Sequence, residues 1–533
     1  MFSLAILVGI YSYLIFLLGV LHLLYSPVII LVTIIFVILS YIYLKKDILY
    51  FKNFLSKKHT PLDRSSKFVL ALVIIICMIN LIGALGPEAA FDSLWYHLTI
   101  PKIFLMQHQI FHIPGGLFYY SDMPKLGEML YVLPLSVKSL ALAKLIHFAF
   151  GVLSLIALYL LSLRFMDRRK SLITVLIFSS NLVFSWESTT AYIDLIRTFF
   201  EVMAFWGFTI WYQEKDRKML MESAVILGLS VSTKLIGAGS LVILPILIYL
   251  FGSDIFKEKK FRIKEILKYF LICLAVPLPW FVLSFLNTGN PIYPLMTKYY
   301  PTNLSLNLIN PVYFIKTFFN LFLHNPDPIS PLYLILLPLA LIFFRKFDKN
   351  MKMILAFCAL SLIVWYFTPN TGGGRFILPY LPVFSLLSTY LIYQKKEFQK
   401  FLLSLVFVIA LSSIGYRALA TAKVVPVVLG FQSNKEYLTK HLNFSFGDFY
   451  DTDGFFANNI KSSDTVLLYG FHNLYYADFP FIDSSYAKVG DKFNYIATQN
   501  TNLPERFSFW HLIYQNPTTH VKLYSMGGAN WYY

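Results

Sequence analysis

Long apolar runs separated by short polar segments dominate the hydrophobicity pattern of this 533-residue chain. A helix needs about twenty consecutive apolar residues to cross the hydrocarbon core of a bilayer. About thirteen runs approach that length, at 4–24, 27–45, 68–86, 140–163, 171–186, 193–213, 221–233, 236–252, 267–286, 331–344, 353–368, 376–393 and 400–418. The pattern predicts an all-α polytopic membrane bundle of about 13 transmembrane helices.

Two polar stretches are too long to be simple turns. Segment 87–139 contains amphipathic stretches at 100–109 and 126–135, which predict short interfacial helices on the outer face. Segment 423–533 predicts a helix near 435–442 and strands near 465–471 and 521–525, as in a small α/β domain. We therefore divide the chain into a transmembrane domain, 1–422, whose outer loop 87–139 carries the site, and an extracytoplasmic domain, 423–533.

Charge is scarce and unevenly placed. Only 14% of residues are charged, against about 25% in soluble proteins. Lys and Arg, which give a net charge of +17, gather in alternate loops at 45–67, 164–170, 215–218, 257–264, 345–352 and 395–400. By the positive-inside rule these loops are cytoplasmic, the N-terminus is inside and the C-terminus is outside. This alternation predicts a multi-pass protein of the cytoplasmic (inner) membrane and no nucleic-acid partner.

The first apolar run and the cysteines narrow the picture further. The run lacks a basic flank and a small-residue cleavage site, so we expect it to remain as a membrane anchor. The three cysteines lie in separate predicted spans, and no Cys/His constellation has metal-ligand spacing. We expect no metal site and no cofactor; a divalent metal is compatible with the sequence but nothing indicates one.

The most informative polar residue is Asp92, directly after apolar run 68–86. A carboxylate at the membrane surface meets water and lipid head groups together and can act as a general base toward a hydroxyl. Alternatively, Asp92 is the N-cap of a following helix. Tyr96 lies one helical turn further and His97 follows it; both are candidate substrate-binding residues, or members of an interfacial aromatic belt.

A second polar cluster follows in the same loop. Pro124 suits the start of a helix, which places Glu128 in its first turns, where it could shape an acceptor site. Asp122 is a second candidate for substrate binding, or an N-cap. Lys125 could hold a phosphate as a point charge, or it could extend to lipid head groups.

Later polar residues fall on the same predicted side. Glu187 and Asp194 flank a short outer loop, and ionisable groups at membrane depth rarely face lipid. We therefore expect Asp194 to face a polar cavity, and Glu187 is a candidate substrate-binding residue. Arg197 and Glu201 have the spacing of an i,i+4 ion pair, whose structural role is the better interpretation.

Two further cations are candidates for binding a phosphate. Lys234 interrupts two short apolar runs, where a lysine has no packing function. Arg375 follows three glycines at 372–374; glycines permit close backbone approach, and arginine binds phosphate in a bidentate manner. Arg375 is the best candidate of the two.

In this order the residues resemble the GT-C superfamily of integral-membrane glycosyltransferases, on the bacterial branch of ArnT and the protein O-mannosyltransferases. The resemblance covers roughly residues 1–420 and rests on Asp92 with Tyr96, on 124–128, on Ala-Tyr-Ile-Asp at 191–194, on Leu-Gly-Leu at 227–229 leading to Thr-Lys at 233–234, and on Arg-Phe-Ile-Leu-Pro at 375–379. Many members have Asp-Glu where this chain has Asp92-Ser93. We therefore expect Asp194 to supply the second catalytic carboxylate in place of the missing glutamate.

The resemblance implies a polyprenyl-phosphate-linked sugar as donor and transfer, with inversion, to a lipid, glycan or protein acceptor on the outer face. Asp92 would activate the acceptor, and Arg375, with Lys125 or Lys234, would stabilise the leaving phosphate. Two alternatives remain open: a transporter or flippase of lipid-linked sugars, and an oligosaccharide ligase or polymerase that uses the same carrier.

Overall fold

The computed structural model of the chain describes residues 1–56, 61–300, 310–324, 327–368, 373–394, 396–527 and 530–533. Gly372, parts of the predicted basic loops near 57–60 and at 395, and part of the Pro- and Asn-rich segment 287–330 lie outside these residues.

Helices make up the chain as far as Ala422. They are α1 Phe2–Val20, α2 Ser26–Ser56, α3 Arg64–Leu85, α4 Thr99–Met106, α5 Leu126–Ser136, α6 Leu140–Ser162, α7 Arg168–Ser179, α8 Leu182–Glu187, α9 Asp194–Glu214, α10 Arg217–Thr233, α11 Ser240–Phe251, α12 Lys259–Ala275, α13 Leu278–Thr288, α14 Pro311–Leu323, α15 Leu332–Phe343, α16 Lys349–Tyr366, α17 Gly373–Ile377, α18 Leu381–Ile392 and α19 Lys396–Ala422. A short π-helical turn, Ser93–His97, precedes α4.

Every predicted apolar run coincides with one of these helices or with a consecutive pair. Within the described residues, 8 helical stretches are long and apolar enough to span a bilayer, and α12 with α13 forms a further pair bent by 57°. The chain is therefore a multi-pass membrane protein, and the count of thirteen spans stays a prediction. The remaining runs, such as α9 and α10, fall below that test because they contain charged residues or are short.

Local chemistry explains where many helices begin and which side faces lipid. Asp63, Asp167 and Asp348 each accept a backbone N–H three residues ahead, which caps α3, α7 and α16.

On α2 the side chains Leu31, Ile34, Ile38 and Ile42 share one face and are each more than half exposed. An apolar stripe open to solvent over three turns is stable only when that solvent is hydrocarbon.

Helix α9 lies at the centre of the bundle, between α6 and α10. Nearly all its side chains are buried, including the aromatic residues Phe199, Phe200 and Trp211.

The amphipathic stretches of segment 87–139 form α4 and α5, as predicted. Helix α5 is buried along most of its length against α1 and α6, so its polar residues face the protein interior.

Within the described residues after α19, the chain forms three short α-helices and two small sheets. The helices are α20 Val425–Val428, α21 Asn434–His441 and α22 Phe455–Asn459; the strands are β1 Val466–Tyr469, β2 Phe481–Asp483, β3 Lys492–Phe493, β4 Tyr495–Gln499, β5 His511–Gln515, β6 Val521–Ser525 and β7 Trp531–Tyr532. Five strands pair in the order β2-β1-β4-β6-β5, and β3 pairs with β7. Strand β1 is parallel to both β2 and β4, whereas β6 is antiparallel to β4 and β5. We call residues 423–533 the C-terminal domain.

The C-terminal domain is attached to segment 87–139 by several polar contacts. The Lys102 ammonium donates to the carbonyl oxygens of Tyr475 and Ala477 at 2.6 and 2.9 Å and pairs with the Asp478 carboxylate at 2.6 Å. The Tyr476 hydroxyl donates to the Glu88 carbonyl at 2.8 Å. These contacts join residues 475–478 of the domain to Glu88 and Lys102 of the loop.

Candidate functional site

The Asp92 carboxylate does not cap the following helical turn. Its Oδ2 accepts a hydrogen bond from Nη1 of Arg375 at 2.7 Å, and no cap hydrogen bond forms from its side chain. Its backbone N–H donates to the hydroxyl of Tyr192 at 3.0 Å. The N-cap interpretation of Asp92 is therefore wrong, because its side chain belongs to an ion pair between two distant segments. Its role as a general base stays a prediction.

Arg375 lies on α17, which packs closely against the segment that carries Asp327. A Cβ on Gly374 would lie 2.1 Å from the Asp327 carbonyl oxygen, so only glycine permits this approach. The approach places the Arg375 Nε 3.5 Å from an Asp327 carboxylate oxygen. The guanidinium carbon also lies 5.0 Å from the centroid of the Tyr192 ring. Two carboxylates and an aromatic face therefore surround this cation.

Asp194 and Lys234 form a second ion pair, between the start of α9 and the end of α10. The Lys234 ammonium donates to both Asp194 carboxylate oxygens, at 2.9 and 3.0 Å. The ammonium also lies 5.2 Å from the centroid of the Phe376 ring, next to Arg375 in the chain. The lysine that appeared to lack a packing function is thus held by the aspartate that we selected as the second carboxylate.

Glu187 is a third acidic residue of this region, and neither of its carboxyl oxygens has a hydrogen-bond partner within the described chain. Its side chain is fully buried, and the nearest cationic-type group is His147 Nε2 at 3.9 Å, which accepts the Leu195 backbone N–H. Burial, together with the Asp194 charge, raises the pKa of the Glu187 carboxyl group well above its usual range. A buried carboxylate without partners is unfavourable, and proteins keep such groups chiefly where they function.

We call Asp92, Arg375, Asp194, Lys234 and Glu187 the charge cluster. With Asp327 included, four carboxylates surround two cations. Both cations are already engaged by carboxylates, so a bound phosphate would have to share them or displace a carboxylate.

Tyr96 and His97 lie beside the charge cluster on the π-helical turn. Burial, reinforced by the Asp92 charge, raises the pKa of the Tyr96 phenol, which therefore stays protonated. Burial lowers the pKa of His97, so its imidazole is neutral at pH 7 and can donate from Nδ1 to the Glu128 carboxylate at 2.9 Å. His97 and Glu128 are thus a buried pair that links the loop to α5.

Lys125 and Asp122 occupy different surroundings. Lys125 is 2% exposed, and burial lowers the pKa of its ammonium, whose nearest charges are Glu128 and Asp122. The Asp122 carboxylate accepts from Ser121 at 2.7 Å and Asn287 at 2.8 Å, and pairs with His112 at 2.6 Å. Because its oxygens are occupied by three neighbours, Asp122 joins the loop to α13 in this structure.

Arg197 and Glu201 form the ion pair that their i,i+4 spacing predicts. The Arg197 guanidinium lies 3.6 Å from the Glu201 carboxylate and donates to Tyr380 at 2.9 Å. Glu201 additionally accepts from Ser230 and Ser240, at 2.9 and 2.7 Å. These contacts favour the structural interpretation of this pair.

Sequence reasoning missed three contributors to the site. Tyr192 and Trp186 pack against the Arg375 guanidinium, at 5.0 and 5.9 Å from ring centroid to the guanidinium carbon. Asp327 lies between two prolines in a polar segment. A single carboxylate between prolines was the only feature of the sequence that could have indicated a place in the site. Among the described residues, no group of three or more His, Cys, Asp or Glu side chains could hold a metal ion, and the expectation of no metal stays a prediction.

The architecture is similar to that of two solved structures. ArnT from Cupriavidus metallidurans bound to undecaprenyl phosphate superposes with a TM-score of 0.58 at 11% identity, over 86% of this chain and 97% of that one. The same protein in the apo state gives a TM-score of 0.57 at 12% identity, over 87% and 98% of the two chains. The chain has the GT-C fold.

A protein-family model also matches part of this sequence. The model of a family described as dolichyl-phosphate-mannose-protein mannosyltransferase matches residues 132–283, from within α5 to within α13. No curated protein sequence matches significantly. The resemblance read from the sequence is confirmed, and with it the helical membrane bundle and the small C-terminal domain with strands.

Proposed function

We propose that this protein transfers a sugar from a polyprenyl-phosphate carrier to an acceptor hydroxyl at the non-cytoplasmic face of the cytoplasmic membrane. The observation that carries the proposal is the contact of Asp92 with Arg375, which joins a candidate base and a candidate phosphate ligand within a GT-C fold. ArnT, which shares the fold, binds undecaprenyl phosphate. The alternation of basic loops supports the orientation, with the N-terminus inside.

The reaction makes specific demands on charge. The acceptor O–H bond breaks as its oxygen attacks the anomeric carbon, and the proton passes to the Asp92 carboxylate. The bond from the anomeric carbon to the phosphate oxygen breaks at the same time, so the carrier phosphate changes from a monoanion to a dianion. Attack opposite to the leaving group inverts the anomeric centre. Fixed cations near the phosphate favour this transition state because its negative charge increases there.

Arg375 can couple donor binding to the activation of Asp92. While the Arg375 guanidinium donates to Oδ2 of Asp92, that oxygen is occupied and cannot accept the proton of the acceptor hydroxyl. A phosphate that engages Arg375 would release Asp92 toward the acceptor. Lys234 and Lys125 are the supporting cations in this proposal, and Asp194 keeps Lys234 in position beside the ring of Phe376.

Purified protein should identify the donor directly. The protein in detergent is incubated with a panel of undecaprenyl-phosphate hexoses and pentoses and with short glycans, peptides and lipids as acceptors. Release of undecaprenyl phosphate is measured by mass spectrometry. Acceptor-dependent release supports transferase activity. Absence of release with every donor and acceptor of the panel, from protein that is folded and binds undecaprenyl phosphate, would contradict the proposal.

We expect Glu187→Gln to reduce transfer by roughly tenfold or more and, at the same time, to stabilise the protein. Burial raises the pKa of Glu187, so folding at pH 7 must either protonate this carboxyl group or bury an unpaired charge. Glutamine is always neutral and avoids that cost, so unfolding should occur a few degrees higher. Activity should fall because the carboxylate is then missing from the charge cluster. The two measurements are the initial transfer rate and the thermal unfolding midpoint in detergent.

Glu201→Gln is the matched control. Glu201 is equally buried but accepts two serine hydroxyls and faces Arg197, so loss of its charge should destabilise the protein. Opposite shifts of the unfolding midpoint in the two variants are the expected result. If Glu187→Gln destabilised the protein as much as Glu201→Gln, Glu187 would be a structural residue and its place in the substrate site would be lost.

A further inference from the structure

His472 of the C-terminal domain lies among three aromatic side chains next to the charge cluster. The centroid of its ring is 4.9 Å from that of Phe91, 4.7 Å from Trp95 and 5.0 Å from Phe446. The ring planes of His472 and Phe91 are 29° apart, which is a stacked arrangement. Two of these partners come from segment 87–139 and flank Asp92 in the sequence, whereas Phe446 comes from the C-terminal domain.

Two of these four rings are exposed to solvent. Phe91 is 38% exposed and Phe446 is 52% exposed, although both lie beside a polar site. Phe91 and Trp95 are one and three residues from Asp92 in the chain, and the Asp92 charge also acts on the His472 imidazole. An exposed aromatic surface that continues into a polar cluster is the usual form of a small-molecule site, where aromatic faces supply contact area and a few polar groups supply orientation.

The C-terminal domain sets the hydrogen-bonding state of His472. The Asn473 amide nitrogen donates to the Asp448 carboxylate at 2.6 Å, which leaves the amide oxygen to accept from His472 Nδ1 at 2.9 Å. Nδ1 therefore carries the proton and Nε2 is a hydrogen-bond acceptor. Burial lowers the pKa of His472, so the neutral form is the one present at pH 7.

His472 also lies at a favourable position of the sheet. It follows the carboxyl end of β1, two residues after Gly470, and β1 is flanked by the parallel strands β2 and β4. After β1 the chain forms β2 on one side of β1, and the later strand β4 pairs with the other side of β1. Ligands of parallel sheets bind outside the carboxyl ends of strands at such a change of direction.

We propose that Phe91, Trp95, Phe446 and His472 form a carbohydrate-binding subsite, in which a sugar ring lays its C–H face on the exposed aromatic rings and donates a hydroxyl hydrogen bond to His472 Nε2. The C–H hydrogens carry partial positive charge and are attracted to the negative faces of the rings. The sugar is either the glycan of the acceptor or the sugar of the donor. This subsite deepens the proposed function and rests on it for its biological use.

Binding can be measured without any transfer reaction. The full-length protein in detergent is mixed with methyl glycosides of glucose, mannose, galactose and arabinose, and saturation-transfer NMR detects contact with the protein. We expect signals on the ring C–H protons of at least one glycoside. Phe446→Ala and His472→Phe should each reduce these signals at least about threefold, since the first removes a ring and the second keeps the ring but removes the acceptor nitrogen. Phe509→Ala is the control, because Phe509 is 49% exposed elsewhere in the same domain.

The absence of signals from every glycoside, or signals of unchanged size in both variants, would overturn the subsite. Because glycoside binding needs no turnover, this result is distinguishable from failure of the proposed function, which concerns release of undecaprenyl phosphate.

Kinetics then assign the source of the sugar. With the donor and acceptor found in the transfer assay, Phe446→Ala should raise one KM about tenfold at little change in kcat. An increase in the acceptor KM assigns the subsite to the acceptor glycan, and an increase in the donor KM assigns it to the donor sugar. If neither KM changed, the rings would have no part in substrate binding and the proposal would be wrong.

Discussion

Asp92→Asn is expected to lower the rate of sugar transfer by roughly 100-fold to 10,000-fold, which is the contribution of a general base. Asparagine has the same shape, so the backbone N–H of residue 92 can still donate to Tyr192. It cannot take the proton of the acceptor hydroxyl. The rate of undecaprenyl phosphate release at saturating donor is the measurement, accompanied by the thermal unfolding midpoint.

A second measurement separates catalysis from a structural ion pair. In Asp92→Asn the Arg375 guanidinium loses the carboxylate that holds it at 2.7 Å, so the affinity for undecaprenyl phosphate should be unchanged or higher. Asp478→Asn is the control for general effects of charge, because the Asp478 side chain is 87% exposed and its ion pair contributes little. A transfer rate within about threefold of the unmodified protein would remove Asp92 from the mechanism.

Arg375→Lys should weaken binding of undecaprenyl phosphate by about 10-fold to 100-fold. A charge-assisted hydrogen bond contributes about 1.5–3 kcal/mol, and each 1.4 kcal/mol corresponds to a factor of ten in affinity. Lysine keeps the positive charge but lacks the planar fork that can contact a carboxylate and a phosphate together. Transfer should decline in parallel, because the same cation stabilises the leaving phosphate.

Native mass spectrometry of the detergent-solubilised protein with undecaprenyl phosphate provides the affinity. Arg506→Lys is the matched control, since Arg506 donates to a tyrosine hydroxyl at 2.7 Å on the surface of the C-terminal domain. We expect the control to bind the lipid normally. Equal affinities of Arg375→Lys and the unmodified protein would show that the phosphate is bound elsewhere, and the coupling between Arg375 and Asp92 would fail with it.

Much of the architecture follows from local pattern. The predicted apolar runs coincide with helices because helix formation at membrane depth depends on length and hydrophobicity, both of which are properties of a continuous segment. The predicted helix and two strands of the C-terminal domain are α21, β1 and β6. Side-chain chemistry also selected Asp92, Arg375 and Lys234, and the resemblance selected Asp194. The local sequence could not identify the side chain with which each of these residues pairs.

The pairing of these groups is a property of the folded bundle. Asp92 and Arg375 are 283 residues apart in the chain, and Asp194 and Lys234 are 40 apart. The N-cap interpretation of Asp92 and the isolated position of Lys234 both look reasonable from local sequence, because a carboxylate before a helix and a lysine between apolar runs carry no information about distant partners. The involvement of Asp327 and His472 has the same origin.

The sequence alone determined the helical membrane bundle, the alternation of basic loops, the strands near the C-terminus and the residue types available for chemistry, since each depends on neighbours along the chain. Only the tertiary structure decided that Arg375 holds Asp92, that Lys234 holds Asp194, that Glu187 is left without a partner in the described chain, and that the C-terminal domain borders Asp92. These relations arise when helices pack and bring remote charges within a few ångströms, where low polarity makes each pairing energetically decisive.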